Sequence, residues 1–270
     1  MLMDLYEALS AGQLVQRQRG KSFPKLGFWR QVMIYNLGSR VVNNYIIPYE
    51  SGWLLIDTGY AGGFPRFKRM LDKNGIDAKD IRYVFLTHAH DDHAGFLNEV
   101  LSATDAKVIL HPAAVEGLKR GQNSFKGGCS TLLAYCFCQI LSLFGHGDHR
   151  YPPILEEHLS RLITTDSEEF KSLHFMYEVV ETPGHTADHI SLLAEDQFFV
   201  GDAAMNNFPS INRTIIWIED LNQYKQSWLT ILRHGTDMVL YPAHGKPFQS
   251  KDLQKYLPSL DKIKLHPLNR

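Results

Sequence analysis

Residues 87–93 read Thr-His-Ala-His-Asp-Asp-His, and no other stretch constrains this chain as tightly. His88, His90, Asp92 and His93 place four donor side chains within six residues. Imidazole nitrogen and carboxylate oxygen are the donors that suit zinc, iron or manganese. The run follows a buried-strand pattern at 82–87. A loop leaving a strand can turn alternate side chains to opposite sides. His88 and His90 can then share one metal while Asp92 and His93 face a second. Asp92 also sits beside Asp91, and adjacent carboxylates repel unless a cation neutralises them.

Each ion needs further donors from elsewhere. His185 lies in Thr-Pro-Gly-His-Thr, Asp202 in Val-Gly-Asp and His244 in Tyr-Pro-Ala-His-Gly. All three fall at expected strand ends, where the neighbouring glycines let backbone and ligand approach closely. Asp57, in Ile-Asp-Thr-Gly, offers one more carboxylate at a strand end. The remaining histidines, 111, 146, 149, 158, 174, 189, 234 and 266, read as structural or exposed. His111, His146 and His149 are the best placed of them to reach a pocket.

The chain around these motifs can bury a large core. Hydrophobic residues make up 44% of its 270 positions and charged residues 21%. Strand patterns are expected at 30–37, 41–49, 53–57, 82–87, 107–111, 174–181, 190–194, 198–201, 214–218 and 238–241. Helices are expected at 64–73, stopped near Asn74-Gly75, and at 94–102, 221–233 and 252–257. Between about 112 and 165 strand signals vanish. That stretch reads as a helical insertion, with an apolar helix at 130–144, buried or at an interface, and an amphipathic one at 154–163. Two runs of strands followed by helices predict a layered α/β architecture with two sheets inside. The whole of 1–270 reads as one domain.

The ordered set H-x-H-x-D-H, isolated His, Asp and last His resembles the metallo-β-lactamase superfamily over 57–244. The resemblance implies a four-layer αββα sandwich with two divalent metal ions at one edge, zinc first and iron or manganese as alternatives. It implies that His88, His90 and His185 hold the first metal, that Asp92, His93 and His244 hold the second, and that Asp202 bridges them. Asp57 would orient one ligand from behind. A hydroxide shared by both cations would be the nucleophile, with Asp92 taking part in proton transfer.

The expected reaction is hydrolysis of a carboxylic ester, thioester or lactone of a small molecule, in the manner of glyoxalase II or a lactonase. The alternatives are a phosphodiesterase, a persulfide dioxygenase-like oxidoreductase with a single iron, or a regulatory protein that binds metal without turnover. A formal net charge of −1 argues against a nucleic-acid substrate, which would favour a basic surface. Neither a membrane span nor a secretion signal is read, so the cytoplasm is the expected compartment. Cys129, Cys136 and Cys138 lack paired metal-site spacing and are expected to be buried packing. The aromatics of 23–29 suit a pocket wall or a dimer contact, which leaves a homodimer open. Arg213 is a candidate for meeting a substrate anion.

Overall fold

A computed structural model of the chain describes residues 33–268; the aromatic stretch 23–29 lies outside them. In chain order the strands are β1 (Tyr35–Asn36), β2 (Tyr45–Tyr49), β3 (Gly52–Ile56), β4 (Ile81–Phe85), β5 (Lys107–Leu110), β6 (Gly128–Cys129) and β7 (Leu162–Thr164). They continue as β8 (Glu178–Glu181), β9 (Ile190–Ala194), β10 (Gln197–Gly201), β11 (Trp217–Ile218), β12 (Val239–Pro242) and β13 (Phe248–Gln249). One sheet has the order β1-β2-β3-β4-β5-β7 and the other β13-β12-β10-β9-β8. In the first sheet β3, β4, β5 and β7 run parallel, and in the second β10 and β12 do.

The helices are α1 (Phe64–Asn74), α2 (Asp91–Ala94), α3 (Leu97–Ala103), α4 (Ala114–Arg120), α5 (Leu132–Leu143), α6 (Glu168–Ser172), α7 (Leu221–Arg233) and α8 (Lys251–Leu260). Strand side chains alternate between faces, so each sheet has an inner and an outer face. Ile47, Leu54, Ile56, Phe85 and Ile109 of the first sheet meet Ile190, Leu192, Ala194 and Phe199 of the second in one apolar layer. On the outer face of the first sheet, Ile46, Leu55, Val84 and Val108 pack with Phe67 and Leu71 of α1, Leu97 and Leu101 of α3, and Leu118 of α4. On the outer face of the second, Phe198, Val200 and Leu240 pack with Trp228 and Ile231 of α7 and Leu253 of α8. Three apolar layers thus separate four structural ones, giving the expected αββα sandwich.

The expectation that 112–165 lacks strands is corrected at two points. β7 joins the edge of the first sheet beside β5, where an amphipathic helix was expected; only Glu156–Arg161 is helical there, as a 3-10 turn. β6 pairs with β11. The apolar helix forms as α5 but is mostly exposed, with only Ala134 buried. Cys129 is buried as expected, whereas Cys136 is exposed and Cys138 half-buried.

Candidate metal centre

The parallel strands bring their C-terminal ends to common edges. β3 delivers Asp57 and β4 runs through Thr87 into the histidine loop, so both leave the same edge of the first sheet. In the second, β8, β10 and β12 lead to His185, Asp202 and His244. The two edges are stitched together: Ile190 N donates to Thr87 O at 2.9 Å and Asn43 N to Ala243 O at 2.7 Å. Gly201 turns the backbone at φ +49°, where a Cβ would lie 2.8 Å from His189 Nε2 and 3.0 Å from Thr87. Only glycine allows Asp202 to leave β10 that close to the loop.

All seven expected ligands converge and all are buried. Three overlapping groups of donors lie within 4.8 Å: His88, His90 and His185; His88, His93 and Asp202; and Asp92, His93 and His244. In the first group His185 Nε2 is 3.2 Å from His88 Nε2 and 3.1 Å from His90 Nδ1. Ligand nitrogens at about 2.0–2.1 Å from one tetrahedral ion would stand roughly 3.3 Å apart, so this spacing is that of ligands around a shared cation. In the second half His244 Nε2 is 3.1 Å from Asp92 Oδ2, and His93 Nε2 is 3.6 Å from Asp92 Oδ1. Asp202 touches both halves, with Oδ2 3.4 Å from His185 Nε2 and Oδ1 3.4 Å from His244 Nε2.

Three of the five imidazoles are aimed from behind. His93 Nδ1 lies 2.8 Å from Asp57 Oδ2. Asp57 also accepts from Thr87 N and Thr87 Oγ1, both at 2.8 Å, and it sits at φ +55° to do so. His185 Nδ1 donates to Trp217 O and His244 Nδ1 to Val41 O, both at 2.8 Å. A carbonyl only accepts, so it fixes the proton on Nδ1 and turns the Nε2 lone pair into the centre.

The donor set fits divalent cations on two grounds. His93 Nε2 and Asp202 Oδ1 are buried without a hydrogen-bond partner, a costly state for polar atoms. The electrostatics point the same way. Burial, reinforced by the surrounding imidazoles, holds His88 and His90 well below the ordinary histidine value, so they are neutral donors. Burial would raise Asp202 and Asp92, but His244 and His93 override it and keep both carboxylates ionised. Burial likewise opposes charge on His93 and His244, and the carboxylates override it, Asp92 foremost at His93 and Asp202 at His244. Two buried carboxylates thus demand positive charge, which cations supply as well as protons do.

Several participants carried no sequence signal. His189, expected to be structural or exposed, is buried and accepts from Asp202 N at 3.0 Å while its Nδ1 lies 2.8 Å from Thr182 Oγ1. Asn123 clasps Asp91 in both directions, at 2.8 and 2.7 Å, and Asp188 Oδ2 accepts from Ala89 N at 2.9 Å. Tyr60 stands at the rim, its phenol pushed up by the neighbouring Asp92 charge and by burial. Of the outlying histidines, His149 Nδ1 lies 3.3 Å from Asp91 Oδ2, while His111 accepts from Ala113 N at 3.1 Å and His146 is exposed. Arg213 is committed elsewhere: it grips Asp252 at 2.8 and 3.0 Å and also donates to Asn206.

The fold and this cluster define a sandwich with a buried His/Asp metal-binding edge. The family model of the metallo-beta-lactamase superfamily matches residues 37–263, and the chain belongs to that superfamily. A probable metallo-hydrolase of Methanocaldococcus jannaschii is 28% identical over 207 residues, covering 76% of this chain and 87% of that one. A thioesterase of Emericella nidulans is 27% identical over 220 residues, 78% of this chain but 48% of that longer one. Among solved structures, an archaeal superfamily protein from Sulfolobus tokodaii superimposes with a TM-score of 0.60 at 21% identity, covering 90% of each chain.

Proposed function

We propose that this protein is a dinuclear metal-dependent hydrolase of carboxylic esters, thioesters or lactones, with the sandwich over 33–268 as its catalytic domain. The observation that carries this reading is Asp202, whose two oxygens each lie 3.4 Å from an imidazole of a different donor group. A carboxylate so placed can join two cations into one centre. His88, His90 and His185 would hold one ion, Asp92, His93 and His244 the other, with zinc the expected metal and Asp57 orienting His93. When bound, the cations supply Lewis acidity, lowering the pKa of water and polarising a substrate oxygen.

The chain's own residues do the rest. Asp92, kept ionised by His93 and His244 against the effect of burial, can accept a proton from attacking water and return it to the leaving group. Trp217 O, Val41 O and Asp57 hold three imidazoles in their working orientation. Tyr60 at the rim faces Asp92 and can meet the incoming carbonyl. The similarity to a thioesterase supports acyl substrates. The substrate is then a small molecule, and the cytoplasm remains the proposed compartment. No helix among the described residues is long and apolar enough to cross a membrane.

A panel of thioesters, lactones and phosphodiesters tests this reading, with wild type beside Asp202→Ala and His185→Ala. Acyl turnover in wild type, lost with metal in both variants, is the expected result. Phosphodiester turnover alone, or full metal and full rate in either variant, would overturn it. Oxygen uptake with one iron per chain would assign the oxidoreductase alternative instead.

A further inference from the structure

Helix α5 shows its apolar side chains to solvent. No charged residue occurs from 127 to 147, yet Leu133 is 43% exposed, Ile140 52%, Leu143 84% and Phe144 70%. The spacing of Leu133, Phe137, Ile140 and Phe144 aligns them as one stripe on one helical face. Phe137 meets Phe208 edge to face, with ring centroids 6.0 Å apart, and Phe208 is itself 61% exposed. A stripe of this kind is a binding surface rather than a core.

Two tethers run from this surface into the metal centre. Asn206, two residues before Phe208, donates its N–H to the carbonyl of His244 at 2.8 Å. Cys129, three residues before α5, pairs with Trp217, whose carbonyl holds His185 Nδ1 at 2.8 Å. The apolar stripe is therefore joined to two of the expected ligands, one from each half of the centre: to the backbone of His244 through Asn206 and to the ring of His185 through the strand partner of Cys129. The twelve residues from Leu133 to Phe144, eleven steps of the helical rise, span about 16 Å. An extended saturated chain of about fourteen carbons has the same length, since bonds of about 1.5 Å at angles near 111° advance the chain by about 1.25 Å per carbon.

We propose that the α5 stripe, with Phe208, binds the apolar arm of the substrate, which is a medium- or long-chain acyl thioester or ester with its scissile carbonyl at the metal centre. This rests on the hydrolase reading above and narrows its substrate class. Water adds to the carbonyl carbon, the C–S or C–O bond breaks, the acid keeps the water oxygen, and the leaving sulfur or oxygen takes a proton.

The test uses the metal-loaded full chain and two readouts. One is hydrolysis of acyl thioesters from two to twelve carbons, with KM and kcat separated. The other is binding of a fluorescent fatty acid, which needs no turnover. The expected result is a fall in KM of about threefold per two methylenes, the gain of partly burying them on an open ridge. In Phe137→Ala and Ile140→Asp that gradient flattens and the fatty acid binds at least tenfold more weakly. Should no thioester be turned over, fatty-acid binding that both variants lose still supports the stripe as an acyl site, while the hydrolase reading fails. Equal gradients in wild type and variants, or no fatty-acid binding to wild type, overturn the proposal. So does a dimer or a vesicle-bound form that Ile140→Asp disperses while the chain-length gradient persists.

Discussion

His189 makes the clearest case at the scale of a single residue. Burial, reinforced by His185, lowers its pKa to about 3, so it is neutral and free to accept from Asp202 N. An unfolded histidine titrates near 6.5, so between about pH 6.5 and 3 the unfolded chain binds a proton that the native one refuses. Stability from this group is complete above 6.5 and falls as pH drops, by up to about 1.4 kcal/mol per unit. In chelator-treated protein, wild type should lose stability on acidification more steeply than His189→Gln in urea unfolding. Parallel curves would mean that His189 is not held neutral. The expected donors are legible because imidazole and carboxylate are chemically distinct and spaced in a recognisable order. Their supports were not: the carbonyls of Val41 and Trp217 belong to a group every residue carries, so only the fold reveals which ones face a histidine. Arg213, one candidate for meeting a substrate anion, pairs with Asp252 and Asn206, partners that nothing in the sequence links to it.

At the scale of elements, the short helix α2 holds the second half of the centre and depends on its neighbours. Gly95 follows it, and a Cβ there would run into the backbones of Gly59, Ala61 and Asp91. Gly95→Ala should therefore destabilise the fold by about 2–3 kcal/mol, read as a lower urea midpoint, because backbone must move apart. A midpoint unchanged within error would show that the joint is loose. Asn123 clasps Asp91, the first residue of α2, in both directions. Asn123→Ala should weaken metal binding about tenfold in a chelator competition while leaving the melting temperature of the metal-free protein nearly unchanged. Equal affinity would reduce the clasp to decoration. Strong periodicity made α1, α7, β9 and β10 readable to within a few residues. β7 escaped because three residues after a 3-10 turn resemble the tail of an amphipathic helix, and its strand character comes from β5 alongside. Helix α5 was expected from its composition, but what covers it depends on packing partners, which composition does not encode.

The whole molecule is a device for joining two sheet edges. The inner apolar layer fixes the distance between the sheets, and parallel strands deliver donors from 88 to 244 to one place. Asp92 and Asp202 there, with Asp57 behind His93, are buried carboxylates, and in the metal-free state the first two raise the pKa of both His93 and His244. In the proposed function this centre holds two cations in the resting protein, with Asp202 shared between its two halves. Elemental analysis of wild type beside Asp202→Ala tests this most directly. The expected result is two divalent ions per chain in wild type and fewer in the variant. One iron per chain, no metal after reconstitution, or two ions retained by the variant would contradict it.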